Sequence, residues 1–256
     1  DNPAVDDYYD FPVGSSMSVS GHFVKLDKSA ATGDQTALEA ASDAAHVFQF
    51  VRLEDIAYAK RPDMQNVVYI ADTGRGSDAA SGNAFASTNG RIWKLVLDPN
   101  DSTKVLSLSV LIEGDDNPVK TLNEIHQPDN LETTRNGVYI TEDPGSSQQF
   151  PVGSTDPRAT PARLWRHDLA TAVNTPVAAV NQSADEGPTD VDSTTTPGAL
   201  GAWESTGVVD ASSVFGPGAF LINVQAHTLW IEQSAGPDWT NKREGGQLML
   251  LQIPNG

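Results

Sequence analysis

The sequence predicts an all-β protein, a β-propeller with long loop insertions and about three to four blades in this chain. Two observations carry that prediction. A phrase of three strand-like pieces recurs three times, and Gly and Pro residues punctuate the stretches between them. The best helical segment, Thr36–Ala45, is Ala-rich but short.

Each copy of the phrase runs from an acidic opening into an apolar strand, then to a second apolar strand, then to a Gly-led strand expected at a sheet edge. The first copy is Arg52-Leu53-Glu54-Asp55-Ile56, Val67-Val68-Tyr69-Ile70-Ala71-Asp72-Thr73-Gly74 and Gly90-Arg91-Ile92-Trp93-Lys94-Leu95. The second is Pro128-Asp129-Asn130-Leu131-Glu132, Gly137-Val138-Tyr139-Ile140-Thr141-Glu142-Asp143 and Ala162-Arg163-Leu164-Trp165-Arg166. The third has diverged further, to Glu204-Ser205-Thr206-Gly207-Val208, Ala219-Phe220-Leu221-Ile222-Asn223-Val224 and Gly246-Gln247-Leu248-Met249-Leu250-Leu251.

Tyr69 and Tyr139 lie 70 residues apart, and Tyr139 and Leu221 lie 82 apart. A simple blade takes about 40–50 residues, so these units carry insertions. Gly76–Thr88, Gly145–Thr160 and Ser183–Gly198 supply them and are rich in Ser, Thr, Gly and Asp. Residues 1–50 read as an N-terminal arm with a partial blade, in which Gly21–Leu26 is strand-like, and 51–256 as propeller blades. Three blades and part of a fourth are too few to close a ring with blades of this kind. The remaining blades are expected from a missing segment or another chain, because an open ring exposes strand edges.

The chain carries 34 acidic and 16 basic side chains, a net charge of −18. That balance argues against nucleic acid as a partner, which needs clustered Lys and Arg. No apolar run is long enough for a membrane span. The absence of cysteine excludes disulfides, thiolate metal sites and a Cys nucleophile within these residues.

In a propeller the loops entering the innermost strands meet at the mouth of the central channel. The acidic openings put Glu54 and Asp55, Asp129 and Asn130, and Glu204 there. Oxygen-only side chains at one mouth suit Ca²⁺ or another hard cation, whereas Asp, Asn and Gly also build turns without any ligand. Arg52 projects from the same mouth, either as a phosphate clamp or as a salt-bridge partner. Glu142-Asp143 adds carboxylates near the second opening, and Glu186, Asp190 and Asp192 form a solvated acidic string. His126 and His227 lack any H-x-x-x-H partner, which argues against zinc. Trp93, Trp165 and Trp230 are expected in the core or between blades.

These openings also resemble a known family. Arg52-Leu53-Glu54-Asp55-Ile56 is similar to the R-P-E-D-I phrase of the PhoX-type alkaline phosphatases, and Pro128-Asp129-Asn130-Leu131 is identical to their P-D-N-L. Glu204-Ser205-Thr206-Gly207 and Phe220-Leu221-Ile222-Asn223-Val224-Gln225 resemble their E-x-T-G and F-V-N-I-Q, in the same order. The resemblance covers roughly residues 50–255, the C-terminal half of the family's fold. It implies part of a six-bladed, secreted or periplasmic propeller that hydrolyses phosphomonoesters with iron and calcium at the channel mouth. By position, Glu54, Asp129 and Glu204 would be metal ligands. Arg52 would be the catalytic and substrate-binding clamp on the phosphate, with Asn130 contributing to the substrate site or organising its backbone.

The family's Cys ligand has no counterpart here, and its N-I-Q-H reads Asn223-Val224-Gln225-Ala226. Calcium is therefore expected before iron. Two alternatives stand beside the phosphatase: a non-catalytic, calcium-binding extracellular propeller serving binding or assembly, and a lactonase-type calcium propeller.

Overall fold

The computed structural model describes residues 11, 14–74, 89–115, 124–144, 160–181, 203–226 and 245–254. The chain opens with β1 (Ser18–His22), α1 (Lys28–Ala31) and α2 (Gln35–Ala44). Each helix is capped by an aspartate, Asp27 accepting from Ser29 N–H and Asp34 from Ala37 N–H. Strands β2 (Leu53–Tyr58), β3 (Val67–Asp72), β4 (Arg91–Asp98) and β5 (Asp101–Glu113) follow. Next come β6 (Pro128–Thr133), β7 (Gly137–Glu142), β8 (Arg163–Asp168) and β9 (Asn174–Ala179). The chain closes with β10 (Trp203–Asp210), α3 (Ser212–Phe215), β11 (Ala219–Ala226) and β12 (Gly245–Gln252).

These strands make three antiparallel sheets. Their orders are β1-β5-β4-β3-β2, β6-β7-β8-β9 and β10-β11-β12. Apart from β1, each sheet is a meander in chain order. The first strands lie side by side across the sheets, β2 against β6 and β6 against β10. The described residues do not close these sheets into a ring. Among residues 14–50 a single strand forms, and it joins the outer edge of the first sheet beside β5.

The central strands read as continuous apolar runs because neighbours cover both of their faces. In β7, Val138 and Ile140 face the first sheet in one core with Tyr69, Ala71, Ile92 and Trp165. Tyr139 between them faces the third sheet, in a second core with Leu164, Val208, Phe220 and Ile222. A period of two thus feeds two cores from one strand. The far face of the first sheet is closed by aromatic side chains from the N-terminal region. Phe11, Phe48 and Phe50 stand edge-on to Trp93 at 5.1, 5.7 and 5.4 Å.

One expectation is corrected. The Gly-led pieces are not edge strands in the first two sheets, where β4 and β8 are interior and β5 and β9 lie outside them. Of these outer strands, β9 is largely exposed and carries no fixed apolar pattern, whereas β5 buries Leu108 and Ile112 but follows directly on β4 and has no counterpart among the repeated phrases. In the third sheet the Gly-led piece, β12, does end the sheet.

Candidate functional site

Glu54, Asp129 and Glu204 are each the second residue of their strand, and those strands are the three adjacent β2, β6 and β10. The expectation placed them in loops; they sit instead at the starts of strands. In each strand the pairing slips near the acidic opening: between Leu53 and Asp55, between Pro128 and Leu131, and between Thr206 and Val208. Such bulges break the strict in-and-out alternation and re-aim a side chain.

The repeat divides its two opening residues between two tasks. The second residue ties neighbouring sheets together. Asp55 Oδ2 accepts from Leu131 N–H at 2.8 Å, joining β2 to β6. Asn130 Oδ1 accepts from Gly207 N–H at 2.6 Å, joining β6 to β10. Asn130 therefore organises backbone with its acceptor oxygen. The first residue of each opening is left for the site.

Arg52 reaches two acids at this end of the sheets. Its Nε is 3.0 Å from Glu54 Oε1, and its Nη2 is 3.7 Å from Asp143 Oδ2. Its main chain is bonded on both sides, the N–H to Asp72 Oδ1 at 2.8 Å and the carbonyl to Thr73 N–H at 2.9 Å. Asp129 is the carboxyl most perturbed by this surrounding. Burial, followed by the negative charges of Glu204, Asp143 and Glu54, pushes its pKa up to about 7, and Arg52 offsets only part of that. Glu54, Glu204 and Arg52 thus all lie near enough to Asp129 to act on its charge.

The segment leading into Asp129 is strained. Gln127 is fully buried and holds φ at 45°, a conformation L side chains rarely adopt. Its N–H is bonded to Asn89 O at 2.8 Å, and its carbonyl accepts from Asp143 N–H at 3.0 Å. Gly90, at φ 80°, makes room for this junction, since a Cβ there would lie 2.7 Å from Pro128 Cδ and against the Asp72 carbonyl. Thr73 Oγ1 donates to Pro128 O at 2.8 Å across the same gap.

The donor set suits a hard cation, being oxygen-only and short of positive charge. As placed, however, no three His, Asp or Glu side chains among the described residues converge closely enough to hold an ion. Iron finds no Cys ligand, there being none in the chain. Asp143, first read only as an additional carboxylate, belongs in the group. Its signal was available, because it follows directly on the repeated second strand, where the first copy has Thr73. His126 is buried, with its N–H bonded to Glu142 Oε1 at 2.8 Å. His227, Trp230, the string Glu186–Asp192 and nearly all of the three insertions lie outside the described residues.

No family model matches the chain, and no curated protein does. Among solved structures, PhoX of Pseudomonas fluorescens in complex with vanadate, a transition state analogue, matches with a TM-score of 0.53. The match has 16% identity and covers 81% of this chain and 36% of that one. A conserved lipoprotein from Clostridium novyi NT aligns over 81% of this chain and 91% of its own, with a TM-score of 0.36 and 8% identity. The first of these shows a PhoX-like fold of antiparallel sheets, spanning about a third of the PhoX chain.

Proposed function

We propose that this chain forms part of a PhoX-like, metal-dependent phosphomonoesterase site. One observation carries the reading: Asp129 lies among the charges of Arg52, Glu54, Asp143 and Glu204, with Arg52 against Glu54 and Asp143, where the first strands of a PhoX-like fold meet. In this reading Arg52 clamps the phosphate, offsetting charge on its oxygens. Glu54, Asp129 and Glu204 would hold calcium, and Asn130 keeps β6 and β10 in register. A cation held there would supply charge stabilisation for the phosphoryl oxygens.

The rest of the ring comes from further sheets, in a missing segment or in another chain. Exposed Val209, Leu248 and Leu250 on the third sheet support this, since they form the kind of face that neighbours cover elsewhere in the protein. A secreted or periplasmic location belongs to the same proposal. Among the described residues no helix is long and apolar enough to cross a membrane.

The test is hydrolysis of p-nitrophenyl phosphate with calcium and after chelation, together with elemental analysis of the purified protein. Chelator-sensitive turnover that is lost in Arg52→Ala supports the reading. The carboxylates' failure to converge as placed favours a second one, a calcium-stabilised binding or assembly module without catalysis. Bound calcium with no phosphomonoester turnover selects that reading.

A further inference from the structure

We infer that Asp72 is a positioning residue that fixes how Arg52 is presented to an anion; the inference rests on the phosphate-clamp reading above. Asp72 is fully buried at the end of β3. Its Oδ1 accepts from Arg52 N–H at 2.8 Å and from Gly74 N–H at 3.2 Å. Its Oδ2 accepts from Val51 N–H at 3.1 Å and from the Trp93 indole N–H at 3.4 Å. Four donors thus meet the four acceptor positions of one carboxylate. Only an acceptor-only side chain serves them all, because an amide in its place would turn an NH₂ group against one pair of N–H donors.

The geometry ties this to Arg52 rather than to the sheet in general. Arg52 precedes the first ladder pair of β2, Leu53 with Asp72, and its own N–H has no partner strand to bond. Its N–H goes to Asp72 and its carbonyl to the neighbouring Thr73, leaving the side chain to reach between Glu54 and Asp143. The second sheet repeats the device. Glu142, at the matching end of β7, accepts from His126 N–H at 2.8 Å and from the Trp165 indole at 2.7 Å, anchoring the lead-in to Asp129. In the first two sheets the repeat therefore pairs the site-bearing opening with a buried acid from the next strand.

The experiment titrates inorganic phosphate calorimetrically into the calcium-supplemented protein, its Asp72→Asn, Asp72→Glu and Arg52→Ala variants and the double variant Asp72→Asn/Arg52→Ala. Asp72→Asn is expected to weaken binding by about tenfold, and the double variant to bind no worse than Arg52→Ala alone, the signature of coupled residues. Asp72→Glu keeps all four acceptors and is expected to retain more affinity than Asp72→Asn; it also serves should Asp72→Asn not fold. Unchanged affinity in both Asp72 variants, or losses that multiply in the double variant, would overturn the inference. If the wild-type protein binds no phosphate, the clamp reading fails, and the Arg52 Nε–H resonance then decides. Its displacement by the Asp72 substitutions, but not by Glu142→Gln, upholds the positioning role; an unmoved resonance removes it.

Discussion

The second and third sheets start from the same phrase and end differently. In the second, Glu142 is fully buried and bonded to Arg163, to Trp165 and to the backbone ahead of Asp129. In the third, the matching strand ends Val224-Gln225-Ala226, and the outer strand shows Leu248 and Leu250 to solvent at 72% and 53% exposure. Between the two sheets runs an open cleft of about 560 Å³ lined by Leu164, Ala178, Trp203, Ile222 and Met249. A sheet flanked on both faces can hold a buried ion pair and use it to anchor a site. A sheet at the end of the stack keeps only the apolar half of the design.

The largest effect is expected where that difference is greatest. Arg163 Nη2 and Glu142 Oε1 lie 3.1 Å apart with almost no exposure, and Arg163 also stacks 4.5 Å over Trp165. Burial alone raises the Glu142 pKa, and the guanidinium with its hydrogen bonds opposes that rise. Arg163→Ala leaves an uncompensated buried charge and should cost about 3–5 kcal/mol in urea unfolding. Arg52→Ala, which breaks a half-exposed pair, should cost at most about 1 kcal/mol. Equal losses would mean the second sheet has no special anchor.

Next in size is Gly90→Ala. It forces an L side chain into a positive φ and drives Cβ against the Asp72 carbonyl and Pro128. Strain and overpacking together should remove about 2–4 kcal/mol. Because the clash falls between the first and second sheets, the variant should also weaken phosphate binding. Gly216→Ala near the third sheet also meets a positive φ, 95°, but has nothing within 4 Å of the new Cβ, and should cost less. A reversed order of the two in thermal unfolding would count against this account of the junction.

Much of this was legible in the sequence. The three strand phrases became three sheets, and the opening acids fell at matching places, because the apolar period of two survives divergence. Other features were hidden by their nature. Asp55 and Glu54 are adjacent and both acidic, yet one ties β6 to β2 and the other faces Arg52. A bulge decides between those roles, and no residue type announces it. The buried carboxylates Asp72 and Glu142 stood in plain view at the ends of two repeated strands. Asp72 is held mostly by backbone N–H groups, which leave no trace in composition, and Glu142 by Arg163 and Trp165 of the next strand, a pairing that only the folded register reveals. The outer strand β9 has no buried pattern to read, and β5, which has one, lies outside the repeated phrase.

A smaller effect, of opposite sign, is expected at Asp129. Unfolded, its carboxyl would titrate near 3.8, whereas folded it holds its proton to about 7. The folded state binds the extra proton between those values, so stability falls as pH rises from about 4 to 7 and falls no further above that. Asp129→Asn removes this slope. It should raise the Tm at pH 8 by about 2–4 °C and leave it unchanged at about pH 4. Calcium should raise the wild-type Tm at pH 8 and leave that of Asp129→Asn nearly unmoved. A variant less stable than wild type at pH 8 would show that the acids there are not mutually repelling.

The smallest effect belongs to the end of the stack. Leu248 is paired across from Asn223 on the face turned away from the second sheet, and no described neighbour buries it. Leu248→Lys should therefore change the chain's own stability by no more than about 0.5 kcal/mol. Tyr139→Ala, on the face the second sheet turns toward the third, removes a fully buried ring that stands 4.3 Å from Phe220 and should cost about 3–5 kcal/mol. The contrast between them measures how far the third sheet is an end. If Leu248→Lys proves as costly as Tyr139→Ala in the isolated chain, that face is already covered from within the chain. If it is silent there but abolishes association with a chain carrying the remaining sheets, the ring is completed across it.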